Sequence, residues 1–152
     1  MSMLIIGGGK VGAYLTQHLL DHGHDVVLIE NQREHFEKLC GEIDNERLIY
    51  GDAAEPSVLE RAGIRSAQHL VCVTGSDETN LIVSALGKME YGVAQVLARV
   101  NNPKNAWLFT PVMGVDSAVN QADLTARLLA NHLGPTLDDD IFDEGDEASC
   151  SR

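Results

Sequence analysis

An α/β fold built on a parallel, doubly wound sheet is predicted by three features of the sequence. Short apolar runs alternate with longer amphipathic stretches along most of the chain. Several of the runs are continuously apolar, as in Leu70-Val71-Cys72-Val73, the pattern of strands covered by helices on both faces. A glycine-rich turn, Gly7-Gly8-Gly9-Lys10-Val11-Gly12, joins the first strand to the first helix. Six strands with such a turn after the first predict a single Rossmann-like domain with strand order 3-2-1-4-5-6.

The elements follow in chain order. Met3 to Ile6 reads as the first strand and Lys10 to His22 as the first helix. Asp25 to Glu30 reads as the second strand, followed by a helix from Gln32 to about Gly41. Asn31 and Glu34 have the spacing of a capping box at its start. Arg47 to Tyr50 is the third strand, and Pro56, suited to a first helical position, opens a short helix to Ala62. His69 to Val73 is the fourth strand. A long helix then runs from Asp77 to Tyr91, with Gly92 as its stop. Ala94 to Val100 is the fifth strand, Pro103 opens a short helix, and Val115 to Val119 is the sixth strand. The last helix runs from Gln121 to Leu133, capped by Asn120 and ended by Gly134.

The chain has 152 residues, the length of one domain able to bury a core. The domain is expected over residues 1–134. Residues 135–152 hold Asp138, Asp139, Asp140, Asp143, Glu144, Asp146 and Glu147 against the single base Arg152, so an acidic, solvated and disordered tail is expected there. The net charge of −12 argues against a nucleic-acid surface and against docking on an anionic membrane face. No apolar run is long enough to cross a bilayer and no signal peptide is recognisable. Three widely spaced cysteines, Cys40, Cys72 and Cys150, fit a reducing cytoplasm. Cys72 reads as a core residue and Cys40 as half-buried.

Gly7, Gly9 and Gly12 form G-x-G-x-x-G in its required context, after a strand and opening a helix. Gly7 permits the tight turn, Gly9 lets the backbone approach a pyrophosphate, and Gly12 lets helix and sheet pack closely. The amides at the helix start then face the phosphates. Glu30, ending the second strand, is placed to accept hydrogen bonds from both hydroxyls of an adenosine ribose. It would repel a 2′-phosphate, so NADP is disfavoured, although Arg33 lies close by. An enzyme would also need a catalytic acid or base and a substrate domain, and neither stands out. His18 and His22 are spaced to share a helix face, but no third ligand completes a metal site. Trp107 and Phe109 read equally as core or as subunit contact. The helix from Asp77, with Leu81, Ile82, Leu86 and Met89, has an apolar surface that suits burial on the sheet, extended by a dimer interface.

Four strings carry a family resemblance: Ile5-Ile6-Gly7-Gly8-Gly9-Lys10-Val11-Gly12, Gly51-Asp52-Ala53, Asp77-Glu78-Thr79-Asn80, and Ala98-Arg99-Val100-Asn101-Asn102-Pro103. Leu59 with Ala62-Gly63-Ile64 is a looser fifth. Over about residues 3 to 134 the chain resembles the N-terminal nucleotide-binding domain of the Trk and Ktr potassium-transport regulators, the RCK or KTN family. The resemblance implies a ligand-sensing subunit, not an enzyme. It would bind an adenine nucleotide (ATP, ADP, AMP or NAD/NADH) and assemble through dimers into rings. It would sit in the cytoplasm against the inner face of the membrane, and bias a potassium transporter or channel without entering the bilayer itself.

Carried over by position, Gly7, Gly9, Lys10, Val11 and Gly12 would line the phosphates, and Glu30 would hold the ribose. Asp52 would accept from the adenine amine, with Ala53 at the ring edge. Thr74, Gly75 and Ser76 would line the floor near the phosphates, with Glu78 and Asn80 in the same turn. Arg99 would face phosphate or a dimer partner. Ala54 stands where the family usually has Thr, and the family's C-terminal ligand-binding subdomain is not recognisable. Two other readings follow from the same residues. One is an NAD-dependent oxidoreductase completed by a partner chain; the other is a nucleotide-sensing module that regulates a different membrane transporter.

Overall fold

The computed structural model describes residues 2–133. The expected acidic tail and the Gly134 stop lie outside the described residues. Six strands form one all-parallel sheet in the order β3-β2-β1-β4-β5-β6, as the sequence predicts. They are β1 (Ser2–Ile6), β2 (Asp25–Glu30), β3 (Leu48–Tyr50), β4 (His69–Cys72), β5 (Gln95–Val100) and β6 (Ser117–Asn120). The helices are α1 (Lys10–Asp21), α2 (Arg33–Leu39), α3 (Pro56–Arg61), α4 (Asp77–Ala85) and α5 (Gln121–His132).

Two apolar layers follow from strand alternation. Ile5, Val26, Leu28 and Leu48 face α1 and α2, meeting Ala13, Leu19, Phe36 and Leu39. Leu4, Ile6, Ile29, Leu70, Val96 and Val100 face the other way, onto Val58, Leu59, Val83 and Phe109. Both faces of β1 and β2 are therefore dry, which is why those strands read as unbroken apolar runs. Cys72 lies in this core, and burial pushes its thiol up to about 12, so it stays protonated and inert. Cys40 is exposed rather than half-buried, because α2 ends at Leu39 and turns outward after that buried anchor.

Several elements differ from expectation, each for a long-range reason. The helix from Asp77 is α-helical only to Ala85 and then widens into a π-helical turn over Leu86–Glu90. There Gly87 lies so close to Leu70 that a Cβ would sit 2.2 Å from its Cδ2. The sixth strand starts at Ser117, not Val115. Asp116 instead reaches across, its N–H donating to the Val96 carbonyl and its carboxylate accepting from Val96 N and Lys88 Nζ. The hydrogen bond from Lys88, seconded by that from Val96, holds the Asp116 carboxyl below the usual range.

The capping box does not form. Helix α2 starts one residue later, Gln32 caps it without a side-chain bond, and Glu34 pairs with Lys38 instead. Asn120 does cap α5, accepting from Asp123 N at 3.2 Å, and Gly92 takes the left-handed conformation (φ 66°) that ends the π turn. Of the two aromatics left open, Phe109 is core and Trp107 is 75% exposed. Helix α5 buries no residue and leaves Leu124, Leu128 and Leu129 exposed, as is Leu133 just after it. Among the described residues no helix is long and apolar enough to cross a membrane.

Candidate functional site

The carboxyl ends of β1 to β5 border a cavity of about 420 Å³, a size that suits a small-molecule ligand. A parallel sheet opens such a crevice where the chain leaves β1 and β4 in opposite directions.

The β1–α1 turn forms one wall. Gly7 has φ 103° and its N–H donates to the Ile29 carbonyl. Only glycine adopts that conformation without strain. A Cβ on Gly12 would lie 1.7 Å from the Gly7 carbonyl oxygen, so α1 is seated directly on the turn. Gly9 is the N-cap of α1 in ordinary extended backbone, with nothing within 4 Å of its open side. Its missing side chain therefore leaves room for a ligand rather than relieving a clash. The first turn of α1 holds no acid and begins with Lys10, which lines the cavity beside Val11. Free helix amides and a cation make this end receptive to anions.

Glu30 closes the opposite side, 4% exposed. Its Oε2 accepts from Gly8 N at 2.7 Å and its Oε1 from Gln32 N at 2.6 Å. An ionised carboxylate accepts about four hydrogen bonds, so lone pairs remain for ligand hydroxyls. A Cβ on Gly8 would lie 2.9 Å from Glu30 Oε2 and 2.6 Å from Leu39 Cδ1, so this glycine keeps the carboxylate in place. The role of Gly8 escapes the G-x-G-x-x-G pattern, where it occupies a free position. His35, from α2, also lines the cavity, its Nδ1 3.6 Å from Glu30 Oε2. Sequence reasoning missed it, since a polar histidine on a short helix carries no signal without the fold. Arg33 points elsewhere. Its Nε pairs with Glu37 at 2.9 Å, and it lines a separate depression with Phe36 and Tyr50.

Asp52 and Ala53 border the cavity beyond β3. Asp52 is exposed, and its Oδ1 accepts from Ala54 N at 2.9 Å in a side-chain turn. Thr74, Gly75 and Arg99 complete the floor beyond β4 and β5. Asn80, fully buried, holds that floor together. Its Oδ1 accepts from Thr74 N and Oγ1, and its Nδ2 donates to the Thr74 and Arg99 carbonyls. Arg99 Nη2 donates to Thr74 O and to Asn101 Oδ1, which fixes the guanidinium along the wall.

Ten of the fourteen sequence-predicted residues thus border one cavity: Gly7, Gly9, Lys10, Val11, Glu30, Asp52, Ala53, Thr74, Gly75 and Arg99. Four do not, the buried Asn80 among them. Gly12 lies beneath the turn, Ser76 caps α4 by accepting from Thr79 N, and Glu78 is exposed on the first turn of α4. Among the described residues no group of metal-ligating side chains gathers, and His22 Nδ1 instead bonds the His18 carbonyl.

Asp77 braces the site from behind. It accepts from Asn101 N, Asn102 N, Asn101 Nδ2 and Asn105 Nδ2, tying α4 to the end of β5. Burial pushes its carboxyl up, but these hydrogen bonds outweigh burial and hold it below the usual range. A depressed folded-state value adds stability above the unfolded value near about 4, lost as pH falls through the folded value. Asp77→Asn is therefore expected to cost about 1 kcal/mol near neutral pH, modest because the group is half-exposed. In urea titrations the gap between variant and wild type should narrow as pH falls below the usual carboxylate range.

The TrkA-N domain family matches residues 3–121. The chain is 39% identical over 129 residues to the Trk system potassium uptake protein TrkA of Mycobacterium tuberculosis, covering 85% of this chain and 58% of that one. It is 38% identical over 129 residues, at the same coverage, to a TrkA homologue of Methanothermobacter thermautotrophicus. The chain thus spans little more than half the length of these relatives. The RCK domain of GsuK superposes with a TM-score of 0.74 at 26% identity, covering 87% of this chain and 28% of that one. GsuK is also known bound to ADP and, as a channel, bound to NAD. The resemblance read from the glycine turn and the strings after β3, β4 and β5 therefore holds, and the chain belongs to the TrkA-N family.

Proposed function

We propose that this chain is a nucleotide-sensing regulatory subunit that binds an adenine nucleotide and controls a potassium uptake transporter or channel. The polarity of the cavity carries the reading. Its acids, Glu30 and Asp52, stand over β2 and β3, while Lys10, the α1 N-terminus and Arg99 stand over β1 and β5. A nucleotide has the matching polarity, with hydroxyls and an amine at one end and phosphates at the other. In this reading Glu30 holds the ribose, Asp52 and Ala53 meet the adenine, and the Gly7–Val11 turn with Lys10 and Arg99 takes the phosphates. Thr74 and Gly75 form the floor. Arg33 is engaged by Glu37 and is not turned toward Glu30 to receive a 2′-phosphate, so NADP stays disfavoured.

The relatives' names and the ADP- and NAD-bound forms of GsuK support a sensing role over hydride transfer. The exposed leucines of α5 support assembly into a homodimer or larger ring, because an amphipathic helix with no buried residue needs a partner. Such a subunit would work in the cytoplasm against its membrane partner. Nucleotide would act by binding two arrangements of that assembly unequally.

Calorimetric titration with ATP, ADP, AMP, NAD and NADH tests the reading and ranks the ligands. Micromolar or tighter binding of at least one is expected. A strong preference for nicotinamide forms together with measurable hydride transfer would favour the oxidoreductase. Co-purification with a transporter for another solute would favour the third reading.

A further inference from the structure

We propose that His35 sets how strictly this site distinguishes an adenosine ribose with a free 2′-hydroxyl from one carrying a 2′-phosphate. The proposal rests on the assignment of Glu30 to the ribose. Glu30 is buried and pinned by Gly8 N and Gln32 N, so it cannot swing away from a second anion. A 2′-phosphate brought to that carboxylate meets an immobile like charge. The bases nearest in sequence are paired elsewhere, Arg33 with Glu37 and Lys38 with Glu34.

His35 is the exception. Its Nδ1 lies 3.6 Å from Glu30 Oε2, and its side chain, 40% exposed, lines the cavity. While the imidazole is neutral, Glu30 presents its full charge and accepts hydroxyls. Once protonated, His35 offsets that charge and offers a donor to phosphate. Imidazoles make this change between about pH 5 and 8. The other charged groups on the cavity are Asp52 beyond β3 and Lys10 and Arg99 at the phosphate end. Glu34 lies next to His35 on its own helix.

The test titrates the full chain with adenosine 5′-monophosphate and adenosine 2′,5′-bisphosphate at about pH 8 and about pH 5.5. In the wild type the preference for the monophosphate should shrink by about tenfold or more at the lower pH. In His35→Gln the shrinkage should fall to what the 2′-phosphate's own protonation produces. His35→Lys should bind the bisphosphate about tenfold more tightly than wild type at pH 8, without needing acid. Thermal denaturation should show all three chains equally folded, as expected for a half-exposed site. Equal pH responses in wild type and His35→Gln, with the monophosphate still bound, would overturn the role of His35 alone. Failure of the wild type to bind either probe at both pH values would overturn the ribose assignment and this proposal with it.

Discussion

Replacing Gly12 with alanine is expected to unfold or severely loosen the domain. The new Cβ would lie 1.7 Å from the Gly7 carbonyl oxygen, about half of an ordinary contact distance. The neighbour is backbone, not a flexible side chain, so α1 must lift or the turn must move. The turn has little freedom. A Cβ on Gly7 would already stand 3.0 Å from Thr74 backbone atoms, and Gly7 N is bonded to Ile29 O. Overpacking in a rigid site costs about 1–3 kcal/mol, and a clash of this depth belongs at or above the upper end. Urea denaturation should show at least that loss, and any folded fraction should bind nucleotide weakly because the phosphate turn is displaced. A variant as stable as wild type would mean that α1 is not seated on the turn in this way.

Removing the Glu30 carboxylate is expected to cost stability and affinity together. Without its oxygens the amides of Gly8 and Gln32 lose their partners, at about 1–3 kcal/mol for each one left unpaired. Glu30→Ala should therefore lower the ligand-free unfolding free energy by about 2–6 kcal/mol. Glu30→Gln keeps one acceptor but turns an NH₂ toward a backbone N–H, so it should fall between. Adenine-nucleotide affinity should drop at least about tenfold in either variant, since a lost hydrogen bond to a charged group costs about 1.5–3 kcal/mol. Denaturation without nucleotide separates the two effects. Unchanged ligand-free stability would show that the carboxylate serves only a ligand.

Sequence patterns reveal this fold where a property repeats locally. Apolar runs marked β1, β2, β4 and β5, Asn120 marked the start of α5, and the glycine turn marked the crevice. What escaped them depends on partners far along the chain. At the π turn Gly87 lies against Leu70, and just before β6 Asp116 reaches Val96 and Lys88. The Asn31 and Glu34 pattern promised a cap, but α2 starts one residue later behind Gln32, and Glu34 pairs with Lys38 instead. The site divides in the same way. Backbone-facing glycines and the acid ending β2 are readable from spacing, because a turn and a strand end fix them. Asn80 and His35 acquire their roles only when β4 meets β5 and when α2 folds back over β2.

Gly9→Ala offers the most direct test of nucleotide binding by the glycine turn. Gly9 has φ −66° and ψ −173°, which alanine adopts freely, and nothing lies within 4 Å of the added methyl. The fold should keep its stability or gain about 0.4–1 kcal/mol from a stiffer unfolded chain. The methyl would nevertheless occupy the space through which a pyrophosphate reaches the α1 amides. Calorimetric titration with ADP should therefore show affinity at least about a hundredfold below wild type, or about 2.7 kcal/mol, in a fully folded protein. Undiminished ADP binding by folded Gly9→Ala would contradict the account, because the phosphates would then lie somewhere other than on the glycine turn.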